Sequence, residues 1–309
     1  MKVIDLFAGC GGMSLGFTHA GFQIVKAYDN WDAAIKCYSE NFNHEIENAD
    51  LGDVKSVVRD ILKYDFDIII GGPPCQDFSH AGKRTEGQRA DLTESFAEII
   101  SMTKPEWFVM ENVDRMAKSN AYSNARKIFK TAGYGLTEIL LNASLCGVPQ
   151  TRKRFFVIGN LTNEDHFLES YLNDRQSTKP LTIKEYFNED LDFEYYYRHP
   201  RNYNRRAIFS IYEPSPTIRG VNRPIPSGYA GHVKDPIKVD ATIRPLTTEE
   251  RAQIQTFPKT FKFYGSKTDN EQLIGNAVPV NLAKFVGESI TLYIKKKCPC
   301  KQMVTESAF

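Results

Sequence analysis

Val3-Ile4-Asp5-Leu6-Phe7-Ala8-Gly9-Cys10-Gly11-Gly12 passes from a short apolar run directly into glycines. Such a run reads as a strand, residues 2–7, that turns sharply into a helix. Glycines at that turn let the backbone approach a ligand closely. A purely structural tight turn fits as well, because the pattern is neither GxGxxG nor a P-loop. Working outward, the segments 22–29, 66–72, 107–113, 135–143 and 154–161 also read as strands, with one more ending near Asp50. Segments 33–42, 92–103 and 119–132 have helical spacing, the last stopped by Gly133, and Ser14 is placed as the cap of the first helix. This alternation predicts a doubly wound, mostly parallel α/β sheet with ligands at the carboxyl ends of its strands.

The chain has 309 residues, with Lys and Arg numbering 39 against 38 Asp and Glu, so overall charge announces no nucleic-acid partner and any such partner needs a local basic patch. No apolar stretch approaches membrane-spanning length and no secretory leader is evident, so a cytoplasmic protein is expected. The six cysteines are scattered, which argues against a disulfide framework and against a zinc site; no metal is expected. After about residue 161 the texture becomes polar, aromatic and proline-rich, which predicts a second, smaller, loop-rich domain. Regular character returns in a closing helix over 272–294, and the end from Lys295 onward reads as a frayed tail. The expected division is 1–165 plus 266–309 for the first domain and 166–265 for the second.

Residues just past the strands carry the chemistry. Asp29 closes the second strand, where an acid can pair with a ribose diol, and Asp50 follows the third. The fourth ends Gly72-Pro73-Pro74-Cys75-Gln76, where two prolines stiffen a loop that carries a cysteine to the ligand edge, as a nucleophile requires. Cys37 and Cys146, in or beside apolar stretches, read as inert buried thiols. The fifth ends Met110-Glu111-Asn112-Val113. A thiol and a carboxyl on adjacent strand ends suggest addition chemistry assisted by a proton donor.

The ordered series FAGCGG, PPCQ, ENV, QTRKR and GNAVP, spanning Val3 to about Phe285, resembles the motif series of the DNA (cytosine-5)-methyltransferases, of the bacterial, restriction–modification kind. The resemblance implies a Rossmann-like methyltransferase domain, S-adenosylmethionine as donor and S-adenosylhomocysteine as product. It also implies a catalytic set of Cys75, Glu111, Arg152 and Arg154. Phe7, Gly9, Cys10, Gly12, Asp29, Asn30, Asp50, Leu51, Gly72, Leu92, Asn276 and Val278 would form the cofactor site. Two positions depart from the family pattern. The ribose acid is Asp29 rather than Glu and is followed by Asn30, with Trp31 one place later, and Arg89-Ala90-Asp91 stands where Arg-Gly-Thr or Arg-Gly-Asn is usual.

The family's chemistry explains these residue types. Cytosine C5 is too weak a nucleophile to be methylated directly, so Cys75 would add to C6, Glu111 would serve N3 and Arg154 would hold O2. The target base would be flipped out of double-stranded DNA. The stretch between QTRKR and Arg244 matches the family only in position, as a target-recognition domain. From Tyr195 to Arg223 it holds six arginines and one acid among tyrosines, which suits phosphate and guanine contacts. Arg201, Arg205, Arg206, Thr217, Arg219, Arg223 and Arg244 are expected on DNA. Ser79, Lys83 and Arg84 are expected there too, on a loop (residues 79–88) that closes over the base. A transfer-RNA branch with the same catalytic motifs is the alternative. By family analogy the enzyme works as a monomer, alongside a restriction endonuclease for the same site.

Overall fold

The computed structural model describes residues 1–74, 92–188, 191–202 and 205–297. In chain order the elements are β1 (Lys2–Leu6), α1 (Gly12–His19), β2 (Gln23–Asp29), α2 (Asp32–Ser39), β3 (Ile46–Asn48), α3 (Val54–Ile61), β4 (Ile68–Gly71), α4 (Leu92–Thr103) and β5 (Trp107–Val113). There follow α5 (Asn120–Thr131), β6 (Gly135–Asn142), β7 (Gln150–Thr151), β8 (Lys153–Asn160), α6 (Glu169–Asn173), α7 (Ile183–Phe187), β9 (Tyr195–Tyr197) and β10 (Ile208–Ser210). The last are β11 (Ser215–Pro216), β12 (Arg244–Pro245), α8 (Thr248–Ile254), α9 (Lys267–Asn276) and α10 (Val280–Lys297).

Among the described residues, seven strands form the main sheet in the order β3-β2-β1-β4-β5-β8-β6. All neighbours are parallel except β8, which runs against both β5 and β6. The segment 143–152 that returns β6 into β8 holds no crossover helix, so an antiparallel strand is the natural outcome. Alternation along the strands fills both faces. In β1, Val3 joins a core with Phe17, Trp107 and Val286, while Ile4 and Leu6 join the opposite core with Phe96 and Phe108. Helix α10 returns to lie against α1, so closely that a side chain at Gly16 would meet the Val280 carbonyl at 2.5 Å.

Two expectations are corrected. Ser14 does not cap α1. The cap position is Gly11, and the Ser14 hydroxyl is buried, donating to Asp5 Oδ2 at 2.6 Å and bonded to the Tyr38 hydroxyl at 2.7 Å. The closing helix is two helices, α9 and α10, because Pro279 lacks the N–H that a continuous helix would need. Just past residue 166, Leu168 and Leu172 are buried beside Phe156 and Val286. β10, β9 and β12 form a three-stranded sheet over Tyr197, Ala207, Ile208 and Ile243. β11 pairs with β7.

Candidate active site

At the carboxyl edge of the sheet, just beyond the ends of β1 and β4, lies a cleft of about 560 Å³. All twelve residues expected at a cofactor line it, namely Phe7, Gly9, Cys10, Gly12, Asp29, Asn30, Asp50, Leu51, Gly72, Leu92, Asn276 and Val278. Backbone geometry explains the glycine-rich turn. Gly11 has φ 92°, and a Cβ there would lie 2.3 Å from the Phe42 ring, while a Cβ on Gly12 would lie 2.3 Å from the Val278 carbonyl. The GNAVP segment therefore packs directly on the first turn of α1. Asp29 braces the same wall, its carboxylate accepting from the N–H groups of Gly9 (2.8 Å), Asn30 (2.8 Å) and Trp31 (2.9 Å). Asp50 accepts from Gly52 N at 2.9 Å.

The floor is charged. Glu111 lies opposite Phe156 in the β5–β8 ladder, so Arg154, two residues along, shares its face. Arg154 Nε is 2.7 Å from Glu111 Oε1, an ion pair at the cleft in which both side chains are almost buried. Burial holds the Glu111 carboxyl above the usual carboxylate range, against the opposing pull of Arg154 and Arg152. Arg152, expected in the catalytic set, is 1% exposed. Its terminal nitrogens donate to the carbonyls of Ile218 (2.9 Å), Gly275 (3.0 Å) and Ala277 (3.1 Å), so it braces the cleft wall even while lining it.

Cys75, Ser79, Lys83 and Arg84 lie outside the described residues. Pro73 and Pro74, which precede Cys75 in sequence, line the cleft, and Asn112 Nδ2 donates to the Pro73 carbonyl at 2.8 Å. Asn112 was missed as a site residue although it adjoins Glu111; the signal was a polar residue ending an apolar strand. Asp5, also on the cleft, was missed for a similar reason. It is an acid inside an apolar run, wholly buried, its carboxyl pushed up to about 7 by desolvation. Among the described residues the thiols are poor nucleophiles: burial raises Cys37 to about 11 and Cys146 to about 12, and Cys10 is buried with Sγ 3.7 Å from the Leu273 carbonyl.

The residues expected on DNA fall into two groups. Arg201, Arg205 and Arg223 are exposed. The others take part in internal contacts: Arg206 with Glu213, Arg219 with the His199 carbonyl, Arg244 with Glu250, and Thr217 Oγ1 with the Thr151 carbonyl at 2.9 Å. Among the described residues no helix is long and apolar enough to cross a membrane.

Sheet order and a cleft at the carboxyl edge define a doubly wound, Rossmann-like α/β fold with its ligand site where such sheets place one. Residues 1–292 match the model of the C-5 cytosine-specific DNA methylases. The chain is 57% identical to the type II methyltransferase M.HindV of Haemophilus influenzae, over 96% of this chain and 98% of that one. It is 55% identical to M.HgiDI of Herpetosiphon aurantiacus, another type II methyltransferase, over 96% of each. Among solved structures, a putative DNA modification methyltransferase from an E. coli prophage shares the fold with TM-score 0.70 and 23% identity, covering 96% of this chain and 99% of that one. S. pombe Dnmt2 does so with TM-score 0.71 and 18% identity, over 96% and 99%. The chain belongs to the C-5 cytosine-specific DNA methylase family. The enzyme is a DNA (cytosine-5)-methyltransferase.

Proposed function

We propose that this enzyme methylates C5 of a cytosine flipped out of a specific duplex sequence, through a covalent bond from Cys75 to C6. The observation that carries the reading is the buried Glu111–Arg154 pair on the cleft floor, beside the Pro73-Pro74 approach to Cys75.

The cleft suits S-adenosylmethionine in size, falling within the roughly 300–1,000 Å³ of small-molecule sites. Its chemistry suits the donor too: Asp29 and Asp50 offer carboxylates to the nucleoside, Phe7, Leu51 and Leu92 offer apolar walls, and Asn276 and Val278 close the side next to Gly12. When bound, S-adenosylmethionine supplies the electrophilic methyl group that C5 takes up. Cys75 as thiolate forms a bond to C6, and the C5–C6 electron pair moves toward C5. Glu111, its carboxyl raised by burial, holds a proton for N3 as charge develops there. Arg154 keeps fixed positive charge at the O2 edge without reorganising. Loss of the C5 proton to solvent then re-forms the C5–C6 double bond and expels Cys75 as the thiolate, while N3 returns its proton to Glu111. Flipping the base costs roughly a few kcal/mol, offset by contacts in the pocket.

The type II names of the relatives support a modification role alongside a restriction endonuclease for the same site. Incubation with methyl-labelled S-adenosylmethionine and either duplex DNA or transfer RNA tests this reading. Label should enter duplex DNA, and bisulfite sequencing should place it at one recurrent sequence context. Label entering transfer RNA alone would overturn it.

A further inference from the structure

The donor cleft and the target region share a wall. The turn after α9 presents Asn276 and Val278 to the cleft, and on its other side a Cβ on Gly275 would lie 2.1 Å from Gly220 N and 2.3 Å from the Arg219 carbonyl carbon. Behind this wall runs a buried chain of amides. Ile218 N donates to Gln150 Oε1 at 2.8 Å, and Gln150 Nε2 donates to Gln255 Oε1 at 2.7 Å. Gln255 Nε2 donates in turn to the carbonyls of Ile274 (2.5 Å) and Ala277 (3.1 Å). Both glutamines are wholly buried, and neither is among the cleft-lining residues.

An N–H at one end and carbonyls at the other leave each amide a single orientation. Every bond in the chain therefore points the same way, an arrangement in which each bond polarises the next. The backbone carbonyl of Gln255 accepts from Val280 N at 3.0 Å, fixing the start of α10. Apolar side chains of the same shape could hold these segments together about as firmly. What the amides add is a set distance and direction between the target loop at Ile218 and the wall at 274–277.

We propose that Gln150 and Gln255 are positioning residues for methyl transfer: they hold the donor-facing wall at a fixed offset from the target loop, and so set the separation between methyl group and cytosine. The inference rests on the DNA-methylating reading above. A displacement of about 1 Å can lower a rate by about 100-fold while ligand contacts survive.

The test is single-turnover methylation of a duplex bearing the bisulfite-mapped site, with affinities for S-adenosylhomocysteine and for DNA measured in parallel. In Gln255→Leu, and likewise in Gln150→Leu, the single-turnover rate should fall roughly 10- to 100-fold while both affinities stay within about threefold of wild type. Gln255→Glu keeps the shape, and its carboxyl can donate to a carbonyl only when protonated. Its rate relative to wild type should therefore rise as pH is lowered from about 8 to about 6. A folded Gln255→Leu enzyme with a rate within about threefold of wild type would overturn the proposal, as would a defect confined to ligand affinity. Should the leucine variants not fold, the Gln255→Glu ratio decides, and a ratio flat in pH overturns the proposal. A wild-type enzyme that methylates no duplex would overturn the underlying reading and this inference with it, and that failure shows before any variant is compared.

Discussion

Glu111 and Asp5 are both carboxyls held in the sheet's buried edge, and burial pushes both up, but their surroundings give them different work. Glu111 faces Arg154 at 2.7 Å, whereas Asp5 faces the Ser14 hydroxyl and adds to its desolvation the charge of Asp29. Glu111→Gln keeps a hydrogen-bonding side chain but removes the acidic proton, so the rate at neutral pH should fall roughly 100-fold or more. Steady-state methylation checks this, and a near-normal rate would contradict the role. For Asp5 the consequence is for stability. Its folded carboxyl titrates near 7 against an ordinary value of 3.8, so between those values the folded chain keeps a proton that the unfolded chain releases. Stability therefore falls as pH rises from about 4 to about 7, by up to about 1.4 kcal/mol per pH unit, and Asp5→Asn removes that slope. Denaturant midpoints at pH about 5 and about 7.5 should show the variant gaining on wild type at the higher pH; a gap that does not change with pH would contradict this.

At the scale of elements, the sheet was legible because its strands are continuous apolar runs ended by small or acidic residues, as buried parallel strands must be. Cleft-lining residues just past those ends were legible for the same reason. What escaped were features set by packing between distant segments. Ser14 looks like a helix cap, yet the fold turns it inward toward Asp5 and Tyr38. The apolar pattern of 272–294 looks continuous, yet Pro279 divides it, and the resulting turn is what delivers the Val278 carbonyl to Gly12. Gly12→Ala would place a methyl 2.3 Å from that oxygen, so either α1 or the turn must move. The expected outcome is a loss of about 1–3 kcal/mol in stability together with weaker S-adenosylhomocysteine binding in a calorimetric titration. Unchanged affinity would mean that the contact between α1 and the turn does not shape the cleft.

Across the whole molecule, the target region was the least legible part. Its strands are two or three residues long, too short for alternation to register, and its cores close through residues far apart, such as Tyr197 with Ile243. Its arginines could be counted from sequence but not sorted, since pairing of Arg206 with Glu213 or Arg244 with Glu250 depends on the fold. That sorting predicts a division of effects. Replacing exposed Arg201 and Arg205 by Gln should lower the slope of log DNA affinity against log salt by roughly 2 and leave thermal stability unchanged. Arg206→Gln should chiefly lower stability, since it strands Glu213 without its cation. Equal salt slopes in wild type and the double variant would remove these two arginines from the DNA contact.

The central claim, that Cys75 bonds to the target base, is tested most directly with a duplex carrying 5-fluorocytosine at the methylated position. After methyl transfer such a base has no C5 proton to lose, so it stays bonded to the attacking sulfur. Proteolysis and mass spectrometry should find the nucleotide on the peptide containing Cys75, and no adduct should form with Cys75→Ser. An adduct on another cysteine, or methylation by Cys75→Ser within about tenfold of the wild-type rate, would contradict the account.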